Sequence, residues 1–226
     1  MNETLIGARG IGRTFPTKAG DLVALADVDI EVRAGELVVV RGPSGSGKTT
    51  LLNLLGALDR PTTGTITLAD GRELSVLPES GLDDVRRDYV GFIFQSFGLI
   101  PALSAEENVE MPLRMRRTEP GERRERVAAA LAAVGLAGHS HQRPDELSGG
   151  QQQRVGIARA LVAEPRVLLA DEPTAQLDSR TALTIMDLLQ ALADERGVGM
   201  LVTTHDPKMA ERAQRLLGLE DGRLLP

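Results

Sequence analysis

The sequence predicts an α/β domain built on a mostly parallel sheet, and three observations carry that prediction. Apolar β-like runs at 37–41, 65–68, 89–94, 167–170, 200–203 and 215–219 are interspersed with helical patterns at 48–58, 104–115, 121–134, 150–163, 180–196 and 207–213. Strands joined through helices are crossover-connected, which makes neighbouring strands parallel. The run Val38-Val39-Val40 leads through Gly42-Pro43-Ser44-Gly45-Ser46-Gly47-Lys48-Thr49 into a helix, the setting a phosphate-binding loop requires. Finally, Val167-Leu168-Leu169-Ala170 ends in Asp171-Glu172. That places two acids at the carboxyl edge of the sheet, where open α/β sheets bind ligands.

The N-terminal third is richer in β pattern, with turn signals at Lys18-Ala19-Gly20, Arg33-Ala34-Gly35 and Asp70-Gly71. From 96 to 163 the pattern is almost wholly helical and has no Pro/Gly-rich linker. The expected organisation is one domain over 1–226, in which 1–95 and 164–226 form a nucleotide-binding core and 96–163 an inserted helical subdomain.

Composition excludes several classes. With 226 residues, 26% charged and 42% hydrophobic, the chain has the balance of a globular domain large enough to bury a core. The net charge of −6 argues against nucleic acid as a main partner, since neutralising phosphates needs a basic face. One arginine-rich segment (Arg114, Arg116, Arg117, Arg123, Arg124, Arg126) is interleaved with Glu119, Glu122 and Glu125 and reads as a solvated helix surface. The absence of cysteine removes disulfides and a thiol nucleophile. Met1-Asn2-Glu3-Thr4 lacks the basic start of a signal peptide. The longest uncharged apolar run, 127–138, falls far short of the ~20 residues that span a bilayer. The expectation is a soluble chain whose membrane part, if its process has one, sits on another polypeptide.

The chemistry follows from the loop and the acids. The glycines of 42–47 let backbone N–H groups wrap phosphates, and the helix N-terminus adds partial positive charge. Lys48 would reach the β- and γ-phosphates, with Thr49 ligating Mg²⁺ and Thr50 beside it in the nucleotide site. Asp171 would hold Mg²⁺ through its water shell, and Glu172 would polarise the attacking water. His139 and His141 lie in a polar loop without acid or cysteine partners at ligand spacing, which argues against a metal site there.

Between loop and acids stands Leu147-Ser148-Gly149-Gly150-Gln151-Gln152-Gln153-Arg154. Phosphate loop, LSGGQ and paired acids, in that order, resemble the ATP-binding subunits of ABC transporters. The resemblance spans nearly the whole chain, from Phe15 to Glu220-Asp221-Gly222-Arg223. It implies the ABC ATPase fold: a P-loop NTPase core, an N-terminal antiparallel β subdomain and a helical subdomain, with ATP and Mg²⁺ as ligands. It makes Phe15 the aromatic stacked on adenine and Gln95 the glutamine sensing γ-phosphate and Mg²⁺. It also makes His205 the histidine beside Glu172. Ser148, Gly149, Gly150 and Gln151 become a tip that binds the ATP held by a second ATPase subunit, most simply another copy, with Asp178 at the subunit contact. Gln176 departs from the small residue or Asn usual in the family.

Gly91-Phe92-Ile93-Phe94-Gln95, Leu103-Ser104-Ala105-Glu106-Glu107-Asn108-Val109 and Thr204-His205-Asp206-Pro207 look like the macrolide-exporter and lipoprotein-releasing branch. The implied partner is a separately encoded transmembrane permease, and the implied location the cytoplasmic face of the inner membrane. An importer ATPase stays open at this point, as do, more remotely, the soluble ABC proteins of repair, chromosome structure or translation. A simple P-loop kinase would have no use for LSGGQ.

Overall fold

Alternation along the central strand decides how the layers form. A computed structural model describes residues 3–18 and 20–225; Ala19 of the first expected turn, Met1 and Asn2 of the chain start, and Pro226 lie outside the described residues. The elements are β1 (Thr4–Thr17), β2 (Gly20–Arg33), β3 (Leu37–Arg41), α1 (Lys48–Leu55), β4 (Thr63–Leu68), α2 (Glu79–Asp88), β5 (Val90–Ile93), α3 (Ala105–Met115), α4 (Pro120–Ala133), α5 (Gly149–Leu161), β6 (Val167–Asp171), α6 (Ser179–Arg196), β7 (Gly199–Thr204), α7 (Pro207–Ala210), β8 (Arg215–Glu220) and β9 (Arg223–Leu224).

On β3, Leu37 and Val39 face one core cluster while Val38 and Val40 face another. Side chains two apart share a face, so an all-apolar strand must be covered on both sides. One cover is helical, with Val109, Leu131, Ile157 and Ile185 among its buried residues. The other packs Leu51, Leu52 and Leu55 of α1 with Ile6, Val28 and Ile66 from the N-terminal strands.

The large sheet has the order β5-β6-β7-β3-β8-β9 and is parallel except for β8 against β9. A second sheet, β2-β1-β4, is antiparallel. The architecture is therefore the mixed α/β fold expected. Its main consequence is positional: β5, β6, β7 and β3 lie side by side and run the same way. The segments that follow them, carrying Gln95, Asp171-Glu172, His205 and the glycine loop, all emerge at one edge.

Several element boundaries differ from the expectation. The helix expected over 48–58 stops at Leu55, where Gly56 is the C-cap and Ala57 turns left-handed at φ 56°. The helix expected over 207–213 stops at Ala210. Helix α2 has no expected counterpart. It buries just Leu82 and Val85, too thin an apolar stripe to read as a period, and carries Glu79 in its first turn and Arg86 and Arg87 in its last, which suits the helix dipole.

The arginine-rich segment is also more than a solvated surface. Arg116 donates to the carbonyls of Arg87 and Ala163, and Arg126 to that of Val162 at 2.9 Å. These cations sit at the carbonyl ends of α2 and α5, where they satisfy acceptors the helices leave open. Among the described residues, no helix is long and apolar enough to cross a membrane.

Candidate functional site

Two glycines shape the phosphate loop between β3 and α1. Gly47 holds φ 105°, and a side chain there would meet the Ala24 carbonyl at 2.5 Å; one at Gly42 would meet the Leu219 carbonyl at 2.1 Å. The loop is thus pressed against β2 and β8 at both ends, which only glycine permits. Lys48 is buried, and its Nζ donates to the carbonyls of Gly42 and Pro43, both at 2.9 Å. The same Nζ lies 3.4 Å from Glu172 Oε1. Ser46 Oγ is buried without a hydrogen-bond partner among the described residues. A buried cation, an unsatisfied hydroxyl and a helix N-terminus converge here, the donor set an anion needs.

The acids come from the end of β6. Thr49 Oγ1 donates to Asp171 Oδ2 at 2.8 Å, and Thr203 Oγ1 donates to Oδ1 at 2.7 Å, so both carboxylate oxygens are oriented. Glu172 then turns left-handed at φ 45°, a conformation that is strained outside glycine. Its N–H is held by the Thr203 hydroxyl at 3.1 Å. Its carboxylate is spanned by Lys48 on one oxygen and His205 Nδ1 on the other, 2.5 Å away. With Nδ1–H donating to the carboxylate, the other ring nitrogen of His205 remains free to act on a substrate.

A cleft of about 580 Å³ gathers these groups, lined by Phe15, Leu22, Val23, Ala24, Ser44, Gly45, Gly47, Lys48, Thr49, Thr50, Gln95, Glu172 and His205. Phe15 belongs to neither core cluster; it reaches the cleft from β1 with the Arg13 guanidinium 4.4 Å over its ring. Arg13 is anchored by two 2.8 Å bonds to Asp59. Beside Phe15, Leu22 and Val23 are 58% and 54% exposed, an apolar rim suited to stacking a base.

Ser148, Gly149, Gly150, Gln151 and Asp178 are not brought into this cleft. Ser148 caps α5: its Oγ accepts from Gln151 N–H at 3.3 Å, and Gln151 Oε1 accepts from Ser148 N–H at 2.8 Å. Asp178 caps α6, with Oδ1 accepting from Arg180 and Thr181 N–H at 3.0 and 3.1 Å. The bonds from Thr181 lead in holding its carboxyl below the usual range. Gln151 also neighbours His139, 3.4 Å between their side-chain nitrogens.

Sequence reasoning missed Thr203, Arg13, Leu22 and Val23. Thr203 left a faint signal, a hydroxyl inside the apolar run that precedes His205. Arg13 lies two residues from Phe15 on a strand, hence on its face, a pattern too common to single out.

Comparison with known proteins places this geometry. The family model described as ABC transporter matches residues 25–175. The chain is 48% identical over 223 residues to the macrolide export ATP-binding/permease protein MacB of Rhodopseudomonas palustris, covering 98% of this chain but 34% of that protein. It thus spans about a third of the length of such relatives. It is 46% identical over 202 residues to the ABC transporter ATP-binding protein YknY of Bacillus subtilis, covering 89% of this chain and 87% of that one. Among solved structures, the dimeric post-hydrolysis state of the ATP-binding cassette MJ0796, bound to ADP and Pi, superposes with a TM-score of 0.90 at 41% identity, covering 98% and 97% of the two chains. With its glycine-loop cleft, paired acids and LSGGQ helix cap, the chain belongs to the ABC transporter family, as an ATP-binding and ATP-hydrolysing domain.

Proposed function

We propose that this ATPase works as a head-to-tail pair whose closure on ATP and reopening on hydrolysis drive a separately encoded membrane permease in export or mechanotransmission. The observation that carries the reading is the division of the site. One cleft is lined by Ser44, Gly45, Gly47, Lys48, Glu172 and His205, with Asp171 bound behind it to Thr49, while the Ser148–Gln151 tip, a second set of helix N-terminal amides, lies outside it. A γ-phosphate bound in the cleft can meet such a tip only from a second copy. That contact exists in the closed state alone, so ATP shifts the equilibrium toward closure. The relatives named for macrolide export support the direction of transport.

Within the cleft, the loop amides and Lys48 bind the phosphates, Phe15 stacks the base, and Gln95 faces the γ-phosphate. Glu172 accepts a hydrogen bond from the attacking water and takes up its proton, and His205, held by Glu172 through Nδ1–H, donates from its second nitrogen to the γ-phosphate oxygens when the ring carries both protons. Asp171 and Thr49, two oxygen donors 2.8 Å apart with Gln95 lining the same cleft, fit a hard cation that keeps most of its water. Mg²⁺ bound there would neutralise charge on the β- and γ-phosphates. Residues 96–163 form the helical subdomain that carries the tip, and Asp178 helps set the contact between copies.

A groove lined by Leu58, Phe92, Phe94, Pro112 and Met115 would receive an apolar segment of the permease at the cytoplasmic face of the inner membrane. Met115 there is 66% exposed and Leu58 48%, unusual for side chains with nothing to cover. The test is Glu172→Gln, which retains binding but loses the base. Light scattering with ATP and Mg²⁺ should show a stable dimer; a variant that stays monomeric overturns the scheme.

A further inference from the structure

The segment after Gln95 is held in an unusual way. Phe97 and Gly98 both adopt left-handed backbone, φ 60° and 61°, and for Phe97 that conformation is strained. Strain of this kind persists only where the surroundings impose it. Here α5 imposes it. Arg159 donates Nη1 to the Gly98 carbonyl at 2.6 Å and Nη2 to the Phe97 carbonyl at 3.2 Å. Burial lowers the Arg159 pKa, and no carboxylate pairs with it among the described residues. Its fork is committed to these two carbonyls.

The loop also bears on the helix at two small residues. A side chain at Gly156 would meet the Phe97 carbonyl at 3.2 Å, and one at Gly149 would lie 3.6 Å from Phe97 Cζ. Phe97 therefore reaches along α5 from Arg159 to the residue after Ser148. Gln95 and the Ser148 tip are joined by one continuous stack: loop backbone, Phe97 ring, first turn of α5.

We propose that Arg159 is a positioning residue that latches the Phe97-Gly98 turn to α5, so that engagement of Gln95 by the nucleotide in one subunit's cleft sets the placement of the Ser148 tip serving the other nucleotide. The proposal rests on the head-to-tail reading above. The latch carries information between the two sites of the pair, because a shift of Gln95 that drew the Phe97-Gly98 turn away while α5 stayed in place would break two charge-assisted bonds, so α5 follows the turn. Arg159→Met keeps the stem and removes the fork; Arg159→Lys keeps the charge but cannot span two carbonyls.

Both substitutions are placed in the full chain, alone and in the Glu172→Gln background. The readouts are binding of a fluorescent ATP analogue, dimer formation with ATP and Mg²⁺, the Hill coefficient of hydrolysis and the melting temperature. Analogue binding to the monomer should stay within about twofold, while ATP-driven dimerisation weakens by at least about tenfold, a lower bound that a fraction of the two lost charge-assisted bonds already supplies. In the hydrolysing chain the Hill coefficient should fall from near 2 toward about 1, with Arg159→Lys between wild type and Arg159→Met. A merely structural role would lower the melting temperature and leave the Hill coefficient of the folded fraction unchanged, and that result overturns the proposal. Unchanged dimerisation and cooperativity in a folded Arg159→Met or Arg159→Lys chain overturn it too. If Glu172→Gln with native Arg159 fails to dimerise, the head-to-tail reading falls, and the latch falls with it.

Discussion

Thr203 shows how much of a site can depend on one hydroxyl. It is fully buried in β7, donates to Asp171 Oδ1 and accepts from the N–H of Glu172. It therefore orients the carboxylate proposed for Mg²⁺ and supports the left-handed turn that presents Glu172. Thr203→Val is close in shape but cannot serve either bond. A bond to a charged group contributes about 1.5–3 kcal/mol, so calorimetry should show a loss of that order. Loss of an orienting partner weakens metal sites about 10–100-fold, so the Mg²⁺ concentration for half-maximal ATPase should rise by at least the lower figure. A variant with unchanged Mg²⁺ demand would mean that Asp171 is oriented by Thr49 alone.

At the scale of elements, α3 and α4 are joined by charge as well as by apolar packing. Glu110 on α3 receives Arg114 from its own helix and Arg123 from α4, at 2.8 and 2.5 Å. Burial raises its pKa, but the bonds from the two guanidiniums outweigh it and hold the carboxyl below the ordinary glutamate range. A depressed pKa means stability that is present above the unfolded value and lost as pH falls through the folded one. Glu110→Gln should thus melt about 2 °C lower than wild type at pH 7, the effect of under 1 kcal/mol in a domain of this size. The gap should close on acidification below the glutamate range. A gap that persists in acid would assign the loss to packing.

The whole molecule adds a constraint that no single element contains. The cleft and the Ser148 tip are both on this chain, yet they do not meet within it. In a head-to-tail pair, a Ser148→Arg subunit damages the site built on its partner's loop, whereas a Lys48→Ala subunit damages its own. Mixing the two inactive variants should leave one of the two sites of each heterodimer intact and recover a measurable share of ATPase activity. Recovery confined to buffer levels over the full mixing range would show that the tip does not act across a subunit boundary.

Local motifs were legible because their physics is local. Glycines at 42 and 47 and the acids ending β6 are contiguous backbone arrangements, so sequence order alone predicted the α/β class, the parallel sheet and the loop. The charged α2 hid itself because two buried residues make no period. Tertiary structure decided what depends on neighbours in space. It set β5, β6, β7 and β3 side by side so that Gln95, Glu172, His205 and Lys48 share one edge. It also brought Thr203 under Asp171, stacked Arg13 on Phe15 and ran Phe97 along α5 beneath Arg159. Those contacts join residues far apart in the chain, and only the packed sheet, with both faces covered, fixes their distances.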